Sequence, residues 1–598
     1  MTNPKISLAA NDMQSGPAGP RPGPLMRKAA GFALPFSLSA EAMILIVVAI
    51  IVGYLAVVPL ATLLISSFQS GFLMPSSEWT LANFQRFFSN SIFYQLLGTS
   101  VLYAMSTTVV ATVLGVGLGW LYARSDMPAK KFAFIAVITP FIIPGVLYAI
   151  GWILLLSPRI GIVNAFSFGL TGHTLFDIYS MPGMILVEAL HNAPLAFLMS
   201  ISVFSSIDSS LEEAAYIAGF GPFGVFRRVT LRLAWPGILG AGLLIFIRVI
   251  SSFEVAQLIG TPAHIFVFVS QIYAAIQSFP PKYGQASVIG DVLLVLCVLG
   301  LYFSNRLTRN RGKYATISGK NFKPVATPLG KWRWPCAGIF FLMFLITALS
   351  PFLAILWASV LPAYEVPSLD VLHRLTYVNY LNVFRYPDIL QSVINSLIAA
   401  LATAAITMVL TTFAAYITVK TKIRGRWLLD LLVFVPIAMP GIIIGIGILF
   451  WYLIAPLPFS LYGTLTLLII AFVTTHIPYG MRYMTSGMIQ IKDELEEAGL
   501  VAGAVWFTVF RKIYMPLLMP SLLAGFVYTI ITVFREVSTA IFLYSPKSQL
   551  LSIAVYTLWE NGAFPIAAAA GILTVLMVLA LFGAIHLIAK RRGISLTI

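Results

Sequence analysis

The sequence predicts an all-α polytopic membrane protein built from two tandem six-helix halves in the same orientation. Three observations predict this fold: a scarcity of charge, a set of long apolar segments, and a repeat that relates the halves. Among 598 residues, 37 Lys and Arg and 21 Asp and Glu make up only 10% of the chain, whereas soluble proteins carry about a quarter. Hydrophobic residues make up 59%, and the mean hydropathy is +0.92. These figures exclude a soluble globular enzyme, a disordered chain and a water-facing nucleic-acid-binding domain.

The residues that usually hold metals or perform catalysis are few and scattered. The two cysteines are Cys297 and Cys336, and no CxxC pair or Cys/His cluster occurs. The sequence therefore indicates no disulfide framework, structural zinc site or haem attachment. The six histidines lie far apart without the spacing of metal ligands. We expect no metal site, no cofactor, no catalytic residue and no nucleic-acid partner for this chain.

Twelve apolar stretches are long enough to cross a bilayer, which takes about 20 residues of helix. Because backbone polar groups cannot stay unpaired in lipid, stretches of this length are predicted to be helices. The first six cover residues 43–68, 96–122, 132–156, 184–203, 237–260 and 286–303. The second six cover residues 337–360, 393–419, 428–454, 465–484, 517–543 and 566–589.

The basic residues of the loops predict how these spans are oriented. With the N-terminus in the cytoplasm, 28 Lys and Arg fall in cytoplasmic segments and six fall on the outer side. Cytoplasmic loops carry an excess of Lys and Arg in multi-span membrane proteins. Both termini are therefore predicted to be cytoplasmic.

Four regions follow from these spans. Residues 1–40 are rich in proline and are predicted to form a disordered cytoplasmic tail; the first apolar run is too long for a secretory signal. Residues 41–304 are predicted to form the first half, 305–335 a basic cytoplasmic linker, and 336–592 the second half. The linker could contact anionic membrane lipid. Cytoplasmic loops are basic in any case, which favours a plain connection that sets topology.

A repeat relates the two halves. The pattern Pro-x-x-x-Pro-Gly at residues 140–145 recurs at 436–441, an offset of 296 residues. Further along, the Leu-Glu-Glu-Ala segment at 211–214 recurs at 495–498, an offset of 284. Since each half has an even number of spans, both enter the membrane in the same direction. Such a parallel repeat implies a pseudo-two-fold axis along the membrane normal, with a path between the halves.

The repeated prolines have a consequence for the third span of each half. Proline removes a backbone donor and clashes with the preceding turn, so two of them four residues apart are predicted to kink or unwind a helix. Unwound backbone at membrane depth persists only where protein or a water-filled cavity satisfies it. The candidates for a gate or pathway wall are therefore Pro140, Pro144, Pro436 and Pro440. A packing kink without further function is the alternative, because proline is common in membrane helices.

A polar cytoplasmic segment separates the fourth and fifth spans of each half, at residues 208–236 and 492–520. A simple turn between two spans does not need this length. Each segment is predicted to begin with a short helix whose first residues have the spacing of a capping box. The residues with that spacing are Ser209 with Glu212 and Asp493 with Glu496.

Small residues follow at helical spacing and predict a helix face that a partner can approach closely. The pairs four residues apart are Ala214 and Ala218, Ala215 and Gly219, Ala498 and Ala502, and Gly499 and Gly503. Gly219 and Gly503 suit a left-handed residue that ends the helix. An amphipathic helix lying on the membrane is the alternative for each copy alone, but the recurrence of the pattern in both halves weakens it.

Each segment contains Glu-Ala followed by Ala or Gly, then three residues and Gly. The motif starts at Glu213 in the first half and at Glu497 in the second, where Ile513 and Pro516 follow at the expected distance. This pattern resembles the EAA loop of binding-protein-dependent ABC importer permeases. The departures from the family pattern are Val229 for Ile and Arg232 for Pro in the first copy, and Gly499 for Ala and Met515 for Leu in the second.

The resemblance implies the type I ABC importer permease fold in a bacterial inner membrane. It also implies two copies of a cytosolic ABC ATPase and an extracytoplasmic solute-binding protein as partners. The ATPase-docking residues implied are Glu213, Ala214, Ala215, Gly219, Glu497, Ala498, Gly499 and Gly503. The chain contains no phosphate-binding GxxxxGK[ST] string, so the ATPase is expected to be a separate subunit and the permease is not itself an enzyme.

A narrower likeness concerns the solute. The segments at 252–262 and 534–546 are similar to segments of fused ferric-iron-type permeases. This likeness favours ferric iron, with thiamine, aminoethylphosphonate and polyamine as alternatives for the same machinery.

Two acidic residues of these segments occupy nearly equivalent places in the two halves. Glu254 and Glu536 are candidates to flank the exit path, because charge at membrane depth is costly and commonly functional. Oxygen ligands suit a hard cation, whereas interhelical ion pairs are the alternative. Intramembrane acids also fit a rival class, an ion-coupled secondary transporter, in which the duplicated cytoplasmic segments have no role.

Overall fold

The structure, a computed structural model, describes residues 40–70, 78–309 and 327–591. The predicted tail up to residue 39 and the middle of the predicted linker lie outside these ranges. In the described ranges every element of regular structure is a helix, and β pairing is limited to two isolated bridges, which confirms the all-α fold. The first half contains α1 (Ala40–Ser67), α2 (Ala82–Phe88), α3 (Ser91–Arg124), α4 (Lys130–Ile142), α5 (Gly145–Leu156), α6 (Ile162–Thr171), α7 (Met181–Ser205), α8 (Ser209–Ile217), α9 (Pro222–Val225), α10 (Leu231–Ile250), α11 (Phe268–Gln277) and α12 (Tyr283–Arg309). The second half contains α13 (Arg333–Phe344), α14 (Ser350–Ser359), α15 (Val378–Arg385), α16 (Pro387–Lys420), α17 (Arg426–Phe434), α18 (Gly441–Ile454), α19 (Leu465–Gln490), α20 (Asp493–Val501), α21 (Trp506–Val509), α22 (Met515–Arg535), α23 (Leu551–Glu560) and α24 (Phe564–Arg591).

Within the described ranges, ten helices are long and apolar enough to cross a membrane, and two bent helix pairs complete the twelve predicted spans. The first bent pair is α4 with α5, at 97°, and the second is α17, with its 3-10 extension, and α18, at 107°. Both bends lie in the third span of a half, where the paired prolines predicted a break. The predicted breaks are therefore confirmed.

The fifth span of each half ends earlier than predicted. Hydropathy predicted spans over 237–260 and 517–543, but α10 ends at Ile250 and α22 ends at Arg535. The apolar chain beyond these ends is buried within the protein; Phe253, for example, is fully buried. Hydropathy alone does not separate apolar residues that face lipid from apolar residues that face other helices, and this is why the predicted ends were wrong.

The broken third spans place their second parts at the centre of the molecule. Every residue of α5 is buried, and in α18 the nine residues from Ile442 to Phe450 are buried. A helix that is apolar and buried on all sides is typical of the core of a large protein. Both helices contribute to one apolar cluster that also includes residues of α7, α11 and α23. The breaks therefore lie where the two halves meet.

The first helix of each half crosses to the other half. α1 packs against α17 and α18, while α13 and α14 pack against α4 and α5. A Cβ atom built on Gly447 would lie 2.1 Å from the carbonyl oxygen of Pro59, and one built on Gly151 would lie 2.8 Å from Pro351. Small residues allow such close approach of membrane helices. Because the two glycines are 296 residues apart, the same offset as the proline repeat, the crossings are equivalent and the halves interlock.

Candidate functional site

Two short helices, α8 and α20, carry the predicted docking residues and are called the docking helices below. Each contains nine residues and is followed by a glycine in the left-handed conformation, Gly219 at φ +86° and Gly503 at φ +81°. The amides of Phe220 and Ala504 donate to carbonyls five residues earlier, at 3.1 Å in both halves. This pattern is a Schellman ending, so the predicted left-handed helix ends are confirmed.

Glu212 fastens the first docking helix to the rest of its half. Its Oε2 lies 3.5 Å from Nη2 of Arg124, and the Thr230 hydroxyl donates to its Oε1 at 2.5 Å. Arg124 is the last residue of α3 and is fully buried. A buried guanidinium group requires a charged or hydrogen-bonded partner, so this network fixes α8 relative to α3.

Glu496 plays the same part in the second docking helix with different partners. The Tyr416 hydroxyl donates to its Oε1 at 3.0 Å, and the Tyr514 hydroxyl donates to its Oε2 at 2.5 Å. Trp506 donates from its indole nitrogen to the Tyr416 oxygen at 2.7 Å. The carboxylate is thus held by two phenols rather than by an arginine.

The basic residue that ends the second span makes equivalent contacts in the two halves. Nη2 of Arg124 donates to the carbonyl of Ile207 at 2.7 Å, and Nζ of Lys420 donates to the carbonyl of Ile491. Lys420 also pairs with Asp493 at 2.6 Å. Arg124 and Lys420 are 296 residues apart, and Ile207 and Ile491 are 284 apart. The repeat therefore extends to the contacts that fasten the docking helices.

The predicted capping boxes do not form. Ser209 and Asp493 are the first helical residues rather than N-caps; the N-cap of α8 is Asp208, and α20 has no side-chain cap. The carboxylates of Glu212 and Glu496 reach other helices instead. Their partners are distant in sequence, so spacing rules within one helix could not find them. The sequence feature that could have indicated contacts with other helices is the basic residue at the end of the second span in both halves, Arg124 and Lys420.

The residue after each fastening glutamate points away from the protein. The exposed equivalents of the two helices are Glu213 and Glu497, Ala214 and Ala498, and Ile217 and Val501, together with the glycines Gly219 and Gly503. Ile217 is 89% exposed and Val501 is 88% exposed. Neighbouring residues of a helix point about 100° apart, so one glutamate of each pair turns towards the permease while the next is exposed. We call these eight exposed residues the docking faces.

Ala215 and Gly499, which were also predicted to dock, turn towards the permease. Ala215 is 8% exposed. A Cβ atom built on Gly499 would lie 3.0 Å from the Val509 side chain and 3.1 Å from the Ile513 side chain. Small residues at these two positions therefore let each docking helix lie close to the start of the fifth span.

The fifth span starts with the same irregularity in both halves. Phe226–Thr230 and Phe510–Tyr514 are π-helical turns that continue into α10 and α22. The polar segment predicted from the sequence thus divides into a docking helix and the first turns of a span. Arg232, which departs from the family pattern, lies inside α10.

The four prolines of the gate candidates lie at the two breaks and are buried. Pro140 lies in the last turn of α4, and Pro144 is the N-cap of α5. Pro436 lies in the 3-10 turn Val435–Ala438, and Pro440 is the N-cap of α18. Each break therefore contains both of its prolines.

The structure brings Glu254 and Glu536 to these same breaks. A Cβ atom built on Gly145 would lie 3.2 Å from the carboxyl carbon of Glu254, and one built on Gly441 would lie 3.2 Å from Oε1 of Glu536. Oε1 of Glu536 also accepts hydrogen bonds from the amide and the hydroxyl of Thr539, both at 3.0 Å. Each glutamate thus meets the break of its own half at an equivalent place.

Two arginines meet at the first break and were not selected as site residues from the sequence. The guanidinium carbons of Arg248 and Arg535 lie 4.9 and 4.4 Å from the centre of the Phe141 ring. Nη2 of Arg535 lies 3.4 Å from Nε2 of His191. Arg535 comes from the second half and the other three residues from the first, so the break is also a contact between halves.

The chain matches the family described as "Binding-protein-dependent transport system inner membrane component" over residues 111–311 and 407–594. It is 25% identical over 553 residues to the ferric transport system permease protein FbpB of Actinobacillus pleuropneumoniae, covering 90% of this chain and 76% of that protein. It is 22% identical over 474 residues to the Fe(3+)-transport system permease protein FbpB 2 of Haemophilus influenzae, covering 78% and 84%. It is 32% identical over 182 residues to the trehalose transport system permease protein SugB of Mycobacterium tuberculosis, covering 30% and 60%. The chain therefore belongs to the family of binding-protein-dependent inner membrane transport components, and it is a multi-pass permease component of an ABC importer.

Proposed function

We propose that this chain is the transmembrane subunit of an ATP-driven importer, moved by two copies of a separate cytosolic ABC ATPase. The observation that carries the proposal is the pair of docking helices, each fastened to its own half by a glutamate carboxylate, which is buried at Glu212 and half-buried at Glu496. The proposed domains are a tail at 1–40, halves at 41–304 and 336–592, and a linker at 305–335. The excess of Lys and Arg in the inner loops supports cytoplasmic termini.

The docking faces are the proposed contacts with the ATPase. Glu213 and Glu497 are free to pair with basic groups of a partner, because the neighbouring glutamates make the contacts within this chain. Gly219 and Gly503 carry no side chain where the chain turns, so a partner surface can approach the backbone. Ala215 and Gly499 contribute by seating each docking helix on the fifth span. A push on a docking face therefore reaches the fifth span directly.

The proposed solute pathway runs between the two breaks and opens alternately to either side of the membrane. Proline breaks prevent the third spans from acting as straight rods, so each can swing about its bend. Glu254 and Glu536 sit at the bends and would face a passing solute. The pairing of equivalent groups in the two halves supports a path on the pseudo-two-fold axis.

We propose ferric iron, delivered by an extracytoplasmic solute-binding protein, as the first candidate solute. Its support is the similarity, over more than three quarters of each chain, to two proteins named for ferric transport, together with carboxylate oxygens at the bends, which suit a hard cation. Thiamine, aminoethylphosphonate and polyamine stay alternatives for the same machinery.

The rival function is an ion-coupled secondary transporter. Buried acids at membrane depth support it: Glu188 is 2% exposed and accepts hydrogen bonds from Asn192 at 2.9 Å and Ser252 at 3.1 Å. The duplicated docking faces have no purpose in such a carrier.

Reconstitution distinguishes the two functions. The chain is placed in liposomes with its candidate ATPase subunit and binding protein, and uptake of radiolabelled ferric iron is measured with ATP or with an imposed proton or sodium gradient. We expect uptake and stimulated hydrolysis with ATP only. Accumulation driven by an ion gradient without the ATPase subunit would establish the carrier instead.

A further inference from the structure

The end of the linker is bound to the loop that follows the second span of the first half. The Thr327 amide donates to the Arg124 carbonyl at 2.8 Å, and the Asp126 amide donates to the Thr327 carbonyl at 3.3 Å. These bonds form an isolated β-bridge between Ser125 and Thr327. Two residues that are 202 positions apart in the sequence are thus joined by their backbones.

Side chains reinforce this bridge. Oδ1 of Asp126 accepts a hydrogen bond from the Leu329 amide at 2.9 Å, and its Oδ2 lies 3.2 Å from Nε of Arg333. Leu329 packs against an apolar cluster that contains Met127 and Phe340. Arg333 is the first residue of α13, the helix that opens the second half. We call Asp126, Thr327, Leu329 and Arg333 the linker clip.

The linker clip lies next to the group that fastens the first docking helix. Thr327 binds the backbone of Arg124, whose guanidinium group holds both Glu212 and the Ile207 carbonyl. Contacts therefore run without a gap from Arg333 through Asp126 and Arg124 to the docking helix α8. The start of the second half is connected in this way to the docking helix of the first half.

In the second half, the loop after the second span is held by a residue of the same half, whereas the linker holds the equivalent loop of the first half. The Arg426 guanidinium donates to the Thr421 carbonyl, and position 426 corresponds to Lys130 at the offset of 296. Lys420 then holds Ile491 and Asp493 directly. The two docking helices thus have equivalent fastenings but differently closed loops.

We infer that the linker clip positions the first docking helix, so that the first docking site depends on the linker and on α13 while the second does not. Asp126 and Arg333 are positioning residues that act through Arg124. The consequence for ATP hydrolysis rests on the proposed function; the consequence for the local stability of α8 does not. Because the side chains of Arg333 and Asp126 are 50% and 29% exposed, their ion pair alone is weak. The backbone hydrogen bonds of Thr327 also hold the linker clip together.

Amide hydrogen exchange of the full chain in lipid nanodiscs tests the inference. In Asp126→Ala and in Arg333→Gln, exchange over residues 208–220 should accelerate by about threefold to tenfold, the effect of losing one or two hydrogen bonds. Exchange over 492–504 should not change, so the second docking helix is an internal control. Asp126→Asn keeps an acceptor for the Leu329 amide and should restore most of the protection. Unchanged exchange over 208–220 in all variants, or equal acceleration in both docking helices, would overturn the inference.

The functional consequence is measured with the ATPase subunit. Arg333→Gln should raise the ATPase concentration that gives half-maximal stimulation while leaving the maximal rate nearly unchanged, because docking weakens and the pathway is intact. A fall in the maximal rate with unchanged half-saturation would contradict a positioning role. If the wild-type chain does not stimulate any ATPase, the proposed function fails, and the exchange measurement still decides the linker clip.

Discussion

Arg124 and Glu212 form a buried ion pair at the base of the first docking helix, with Nη2 and Oε2 3.5 Å apart and side chains 0% and 9% exposed. The pair joins the end of α3 to a helix that otherwise has few contacts with the protein. Since removing one member leaves an unpaired buried charge, the pair makes the docking helix an extension of the second span. The neighbour Glu213 is exposed, and we propose it as a contact for the ATPase.

Replacing Glu212 should therefore loosen the docking helix, while replacing Glu213 should not. Glu212→Ala leaves the buried guanidinium group of Arg124 without its carboxylate partner and is expected to destabilise the packed position of α8 by about 3 kcal/mol. A nitroxide on Ile217→Cys, which is exposed, should then report greater mobility by electron paramagnetic resonance. Glu213→Ala is the matched control and should keep the wild-type spectrum. Similar mobility in both variants would show that the ion pair does not hold the helix.

The glycines that end the docking helices should be intolerant of bulk. Gly219→Trp with Gly503→Trp introduces side chains at positive φ, at about 1–2 kcal/mol of backbone strain each, and blocks the approach of a partner. We expect loss of uptake and at least about a tenfold weaker ATPase association, with normal insertion, measured by co-purification.

Two other glycines give a matched control for that experiment. Gly172 at φ +73° and Gly562 at φ +77° are left-handed and open to space, and the predicted topology places both on the outer side. Gly172→Trp with Gly562→Trp should keep ATPase association. Normal transport by the Gly219 and Gly503 variant would count against the docking role.

Removing the prolines at a break should straighten the third span. Each proline in a helix interior disfavours continuous helix by about 3 kcal/mol, so Pro140→Ala with Pro144→Ala favours a straight helix across the first break. We expect at least tenfold slower uptake, roughly 1.4 kcal/mol in the barrier, while ATP is still hydrolysed. Pro387→Ala, at the first position of α16 where proline is well tolerated, is the control and should transport normally. Full uptake by the double variant would make the break a packing feature only.

Filling the crossing between the halves should destabilise the whole protein. Gly447→Val would push a side chain into the Pro59 carbonyl, and overpacking of this kind costs about 1–3 kcal/mol. The melting temperature in detergent should fall. Gly117 lies in α3 with open space beside it, so Gly117→Val has the same helix propensity cost without the clash. An equal fall in both variants would mean that the close approach contributes nothing.

The sequence was sufficient for the features that depend on local chemistry or on the repeat. Proline chemistry predicted both broken spans, and the left-handed ends at Gly219 and Gly503 followed from helix-ending rules. The structural roles of Glu212 and Glu496 could not be predicted from the sequence. Which of two adjacent glutamates turns towards the protein depends on its partners in other helices. The ends of α10 and α22 were predicted wrongly because hydropathy measures only the transfer of a side chain out of water. It does not distinguish a side chain that faces lipid from one that faces other helices.

The crossing of the first helices also bears on how the chain is made. α1 enters the membrane first, but α17 and α18, on which it packs, belong to the second half and leave the ribosome only after most of the polypeptide has been synthesised. At about 5–20 residues per second, α1 spends on the order of tens of seconds in lipid without these partners. From Ala42 to its end α1 contains no charged residue, so it can stay in lipid until the later helices arrive and complete the native bundle.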